Sequence, residues 1–160
     1  MQFNIQRILY ATDLGPHGPK VFRCVVSIAE RYGASIHILH VVEEPAILRN
    51  NVAERYISGS VLGGYRNATL EEAMDKIKER LKQFSQSTLE SEASTCASVA
   101  DIKILTGRPG RTILAEADRI EADCIILGSR RYSGVSDIVI GSVARKVTRK
   151  ATRPVFLFPV

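Results

Sequence analysis

The sequence predicts an α/β protein, a doubly wound parallel sheet of five strands with helices on both faces. Two observations carry this. Short β-branched apolar runs alternate along the chain with segments whose apolar residues recur at three- and four-residue spacing. Several of the short runs are almost continuously apolar, the pattern of strands covered on both faces. At 160 residues the chain is long enough for one domain with a sizeable core, and 1–160 is read as a single domain.

The elements follow in order. Ile5 to Ala11 reads as the first strand, bounded by a turn-rich run from Thr12 to Gly18. A helix is predicted over Pro19 to Tyr32, with Val21, Phe22, Val25, Ile28, Ala29 and Tyr32 on one face and Gly33 as its stop. Ser35 to Val42 is the second strand. From 43 to 67 the pattern dissolves into a long irregular excursion, with Pro45, Gly59, Gly63 and Gly64 scattered through it. Thr69 and Glu72 have the spacing of a capping box. They open a helix to about Ser91 that buries Leu70, Ala73, Met74, Ile77, Leu81 and Phe84. Ser98 to Leu105 is the third strand. After Thr106 to Gly110 comes a helix carrying Ile113, Leu114, Ala117 and Ile120. Asp123 to Leu127 is the fourth strand, Gly141 to Lys150 the last helix, and Val155 to Val160 the fifth strand, introduced by Arg153-Pro154.

Composition excludes several classes. Hydrophobic residues make up 45% and charged residues 24%, ordinary for a soluble globular protein. No apolar run approaches the ~20 residues of a membrane span, and Met1 to Arg7 lacks the apolar core of a signal peptide. The expected location is cytoplasmic, with no membrane partner. Cys24, Cys96 and Cys124 are few, odd in number and far apart, which argues against a disulfide framework or zinc site. The net charge is +5, and seven of the cations lie between Gly128 and Arg153 against one acid, Asp137. That distribution suits a solvated helix face or attraction of a phosphate ligand. Only Tyr132 interleaves with the charges, so nucleic acid is the weaker reading.

The chemistry concentrates near the C-terminus. An apolar run ends abruptly at Gly128, Arg131 follows three residues later, and after nine more residues Gly141-Ser142 opens a segment of helical spacing. Glycine at a strand mouth and at a helix start lets backbone N–H groups approach an anion closely. In a parallel sheet ligands bind at the carboxyl ends of the strands, where the strand order reverses. The loops holding Asp13 and Gly128 both lie at that end.

These residues resemble the universal stress protein family. Ala11-Thr12-Asp13 at the end of strand one, His40-Val41-Val42 at the end of strand two, Gly128 with Gly141-Ser142, and Arg153-Pro154-Val155 carry the likeness over nearly the whole chain. It implies an adenine nucleotide alpha hydrolase-like fold with strand order 3-2-1-4-5. It implies a stress-response protein that binds ATP or a related adenine nucleotide as a signal or switch. The ATP-binding subgroup carries glycine, two residues, a second glycine, nine residues, then glycine and Ser or Thr. This chain keeps the spacing but has Arg131 at the second glycine. The arginine either blocks the site or pairs with phosphate oxygens, and Gly134 offers nearby slack. The alternative function is a dimeric scaffold of the same family that has lost nucleotide binding through Arg131.

Residue by residue, the resemblance implies that Thr12 and Asp13 sit against the nucleoside, with Asp13 on the ribose or a magnesium ion. It implies that Val41 flanks the adenine, and that Gly128, Gly141, Ser142 and Val143 cradle the phosphates. Each has a plainer account. Asp13 caps a helix or shapes a turn, Val41 is sheet core, the glycines permit tight turns, and Ser142 is an N-cap.

Other chemistry finds little support. There is no Walker-type loop, no Gly-x-Gly-x-x-Gly after strand one, and no nucleophile elbow. His17, His37 and His40 have no metal-ligand spacing. With no evident general base, nucleotide hydrolysis is expected to be slow or absent. The apolar edge strand at 155–160 predicts a homodimer, since an uncovered apolar edge invites pairing. The protein partner is open.

Overall fold

The computed structural model describes residues 4–43, 70–129 and 140–159. Nine elements alternate along it: β1 (Arg7–Ala11), α1 (Gly18–Tyr32), β2 (Ser35–Glu43), α2 (Leu70–Ser91), β3 (Ser98–Gly107), α3 (Pro109–Arg119), β4 (Cys124–Ser129), α4 (Ser142–Lys150) and β5 (Val155–Pro159). All four pairings are parallel, as the alternation of elements predicts, and the order is β3-β2-β1-β4-β5, as the resemblance implies. Of the excursion read at 43–67, Glu43 belongs to β2 and the rest lies outside the described residues, as do Thr69, Arg131, Gly134 and Val160.

Strand alternation divides the core in two. On one face, Ile8, Tyr10, Ile36, Ile38 and Ile126 pack under α1 and α2. On the other, Leu9, Ala11, Leu39, Ile125 and Leu127 pack under α3 and α4. Period-two burial on both faces is why these strands read as unbroken apolar runs. The stripe Val21, Phe22, Val25, Val26 and Ala29 seats α1 on the sheet. Phe22 is fully buried, with its ring centroid 5.5 Å from that of Tyr10 and 5.4 Å from that of Phe84. Such burial stabilises by roughly 1.5–3 kcal/mol, and each tilted ring pair adds about 0.5–1.5 kcal/mol.

Four readings are corrected. Tyr32, expected on the buried face of α1, is 43% exposed, because it is the last helical residue before Gly33 turns the chain at φ 64°. β3 runs on to Gly107, held in register by Glu43 of β2. β4 does not end at Leu127: Gly128 and Ser129 continue it, paired with Phe158 and Pro159. Gly141 is not in the last helix but is its N-cap, and Ser142 is the first helical residue rather than the cap.

Candidate functional site

The topology sets the site. From β1 the chain winds through α1 to β2 and then to β3, on one side. From β3 it crosses through α3 to β4, which pairs with the other side of β1. The strand order therefore reverses between β1 and β4, and the crevice outside their carboxyl ends is the place where such sheets take ligands. Thr12 and Asp13 leave β1 there. Gly128 and Ser129 end β4 there, beyond the Ala11–Leu127 pair. Only four residues separate α4 from β5, and β5 runs parallel to β4, so the N-terminus of α4 lies at the same end of the sheet.

The loop after β1 is built from short-range bonds. The Thr12 N–H donates to the Leu39 carbonyl at 2.9 Å. The Leu14 N–H donates to the Thr12 hydroxyl at 3.1 Å, and the Gly15 N–H to Asp13 Oδ1 at 2.9 Å. Leu14 takes φ 59°, an uncommon conformation for a residue with a side chain. At Gly15 a Cβ would fall 2.9 Å from Asp13 Oδ1, so a larger residue there would push the Asp13 carboxylate aside. Asp13 is exposed and Thr12 half-buried.

One residue that the sequence reading set aside belongs to this loop. His40 is 3% exposed, and its Nδ1 lies 2.8 Å from the Thr12 carbonyl oxygen. Burial holds its pKa below the usual histidine value, against the raising effects of the Thr12 bond and the Asp13 charge. The signal for it was a polar residue inside the apolar run from Ile38 to Val42. Tyr10 also reaches the loop: its hydroxyl donates to the Gly18 carbonyl at 3.3 Å. Burial pushes its pKa up to about 12, opposed by a hydrogen bond with Thr12 and assisted by the Asp13 charge.

Val41 is 8% exposed, its side chain in the cluster under α3 and α4. Its backbone is a separate matter. The Leu39 carbonyl faces β1, where it accepts from Thr12. In a parallel ladder alternate residues face the same neighbour, so Val41 turns its N–H and carbonyl to the β1 side as well. The β1 register ends at Ala11–Leu39, two residues short of it.

At α4, Gly141 has φ −55° and ψ 152°, a conformation open to any residue, and no described side chain caps the helix. A Cβ on Gly141 would meet no described atom within 4 Å. Neither backbone conformation nor packing against described residues requires glycine here. The first N–H groups of a helix have no acceptor within it. Ser142 is exposed, and Val143 is half-buried against the α3–α4 cluster. The structure thus brings Thr12, Asp13, Val41, Gly128, Gly141, Ser142 and Val143 to one end of the sheet. Arg131 lies outside the described residues.

Elsewhere, Cys124 is fully buried, and its thiol is pushed up to about 12 by that burial, with the Asp123 charge adding to it. It is therefore a packing residue, not a nucleophile. Among the described residues no group of three His, Cys, Asp or Glu side chains is placed to hold a metal ion. A cavity of about 380 Å³ at the end of β3 is lined by Gly107, Arg108, Arg111 and Thr112, none of them picked from the sequence. No described helix is long and apolar enough to cross a membrane.

The comparisons agree with this architecture. The chain is similar to the stress response protein NhaX of Bacillus subtilis, 28% identical over 171 residues that cover 97% of this chain and 98% of that one. The solved structure of universal stress protein UspA from Lactobacillus plantarum superposes with a TM-score of 0.71 at 22% identity, covering 98% of this chain and 99% of that one. The universal stress protein from Archaeoglobus fulgidus in complex with dAMP superposes with a TM-score of 0.56 at 22% identity, covering 98% of each chain. At those identities the two structures speak for the fold alone. The model of the universal stress protein family matches residues 4–159, and the chain belongs to that family.

Proposed function

We propose that this protein is a cytoplasmic stress-response protein that binds ATP or a related adenine nucleotide and uses occupancy as a signal. The observation that carries the reading is the α4 N-terminus: a glycine that neither its backbone conformation nor the described packing requires, followed by N–H groups that no described side chain caps, at the sheet's switch point. Helix N-terminal N–H groups and the helix dipole favour phosphate oxygens. The backbone edge that Val41 turns to the β1 side, beyond the end of the β1 register, suits the hydrogen-bonding edge of a planar base. Asp13, an exposed carboxylate at the loop tip, suits ribose hydroxyls or a magnesium ion. Thr12 has a structural part as well as its place against the nucleoside. Its N–H, carbonyl and hydroxyl are all bonded within the chain, so it shapes the loop that presents Asp13. The dAMP complex of the Archaeoglobus fulgidus relative supports an adenine nucleotide as the ligand class.

Gly128, Ser142 and Val143 complete the phosphate cradle, and Arg131 pairs with phosphate oxygens from the segment between them. No evident general base stands among the described residues of the site, so hydrolysis is expected to be slow or absent. The protein is a homodimer through residues 155–160. A second reading rests on Arg131 itself: a scaffold in which that side chain fills the site. Calorimetry with ATP, ADP and adenosine in the presence of magnesium separates the two. The expected order of affinity is ATP first and adenosine last. Equal affinities contradict a phosphate-centred site, and no binding at millimolar ATP favours the scaffold.

A further inference from the structure

We propose that His40 is a positioning residue for the ligand site: its imidazole holds the Thr12 carbonyl and so sets the loop Thr12–Gly15 against the β2 edge at Val41. The proposal rests on the nucleotide reading above and adds to it how the site is kept in shape.

A carbonyl oxygen only accepts, so the 2.8 Å contact requires the proton on Nδ1. Two consecutive residues of β2 then grip one residue of the loop. Leu39 accepts from the Thr12 N–H through its carbonyl, and the His40 side chain donates a hydrogen bond to the Thr12 carbonyl. The next residue of the same strand is Val41, whose backbone edge faces the site. One short segment of β2 therefore carries the base-facing edge and also anchors the loop that carries Asp13.

The loop needs such an anchor. It holds Leu14 at φ 59°, and its internal bonds from Leu14 to Thr12 and from Gly15 to Asp13 fix its shape but not its place. Packing alone does not call for histidine. The other β2 residues on this face are Ile36, Ile38 and Val42, all aliphatic and all buried. A fourth aliphatic side chain would fill the space and leave the Thr12 carbonyl without its donor. Buried polar side chains persist where a specific partner needs them.

The test compares His40→Leu, which keeps apolar bulk, with His40→Asn, whose amide nitrogen replaces the Nδ1 donor. Magnesium-ATP affinity is measured by calorimetry, folding by circular dichroism, and the exchange of the Leu14 and Gly15 amides by NMR. The imidazole ¹⁵N shifts of the unmodified protein report the tautomer. We expect the Nδ1–H tautomer, at least tenfold weaker ATP binding with faster Leu14 and Gly15 exchange in His40→Leu, and recovery to within threefold in His40→Asn. An Nε2–H tautomer overturns the proposal, and that readout stands even if His40→Leu does not fold. Wild-type affinity in His40→Leu, or equal losses in both variants, also overturns it. If the unmodified protein binds no nucleotide, the functional reading fails by itself. The exchange data then decide alone: unchanged Leu14 and Gly15 exchange in His40→Leu refutes the anchor, and faster exchange restored by His40→Asn supports it.

Discussion

Glu30 on α1 and Ala97, the residue just before β3, are 67 positions apart, yet the Ala97 N–H donates to Glu30 Oε2 at 2.8 Å. The same carboxylate accepts from the N–H groups of Thr95 and Cys96 and from the hydroxyls of Ser94 and Thr95. A side chain of α1 thus organises the whole turn that brings the chain from α2 into the edge strand β3.

That turn makes stability depend on acid. The hydrogen bonds, with Ser94 foremost and the three N–H groups after it, hold the Glu30 carboxyl well below the usual carboxylate range. The folded state therefore binds fewer protons at this site than the unfolded chain. Its contribution is complete above the ordinary value of 4.5 and is lost as pH falls from there toward the folded pKa. Glu30→Gln is expected to lower the denaturant midpoint at pH 7, and the gap from the unmodified protein should narrow at pH 3. Urea titrations at the two pH values check it, and a constant gap would mean that the amide suffers for another reason.

Gly141→Ser separates fold from ligand. The backbone at Gly141 is open to serine, a Cβ there meets no described atom within 4 Å, and serine is a better N-cap than glycine by a few tenths of a kcal/mol. The melting temperature should hold or rise slightly. The new hydroxyl accepts from the N–H groups that the phosphates would use, so ATP affinity should fall at least tenfold. Thermal unfolding and calorimetry on one preparation test both halves. A serine variant that binds ATP as before would remove α4 from the site.

Arg131→Gly restores the second glycine of the nucleotide-binding pattern. With Arg131 acting on phosphate oxygens, the substitution should weaken ATP binding by about 1.5–3 kcal/mol, the worth of a hydrogen bond to a charged group. Tighter binding would show that the arginine obstructs the site. Unchanged affinity would show that it stays in solvent.

β5 is an edge strand whose four apolar side chains, Val155, Phe156, Leu157 and Phe158, are each only partly buried. The Ile125 N–H donates to the Pro154 carbonyl at 2.9 Å, which turns Pro154, Phe156 and Phe158 toward β4 and leaves the N–H groups of Val155 and Leu157 facing outward. A second copy pairing along this edge would use them. Leu157→Pro removes an outward donor while sparing the bonds to β4. The unmodified protein should sediment as a dimer at micromolar concentration, and Leu157→Pro as a folded monomer. A full-length protein that sediments as a monomer would end this interface.

The order and type of the elements were legible in the sequence because each strand and helix carries its own apolar period. Glycine and proline punctuate the joins, as at Gly33 and Arg153-Pro154. The places where ligand residues leave the sheet were legible for the same reason, since parallel strands put Asp13 and Gly128 at one end. What the sequence by itself determined was thus the repeating pattern and its direction.

Tertiary structure decided the rest. Gly128 and Ser129 extend β4 because Phe158 and Pro159 pair with them, and such pairing leaves no local mark on a glycine. Thr12 became a shaper of its loop because Leu39 and His40 come to it from the next strand. The place of Glu30 was hidden too, since an acid on an amphipathic helix looks like any solvated charge until the turn at 94–97 folds onto it. In each case the deciding partner is distant in sequence, and hydrogen bonds between distant residues have no period along the chain.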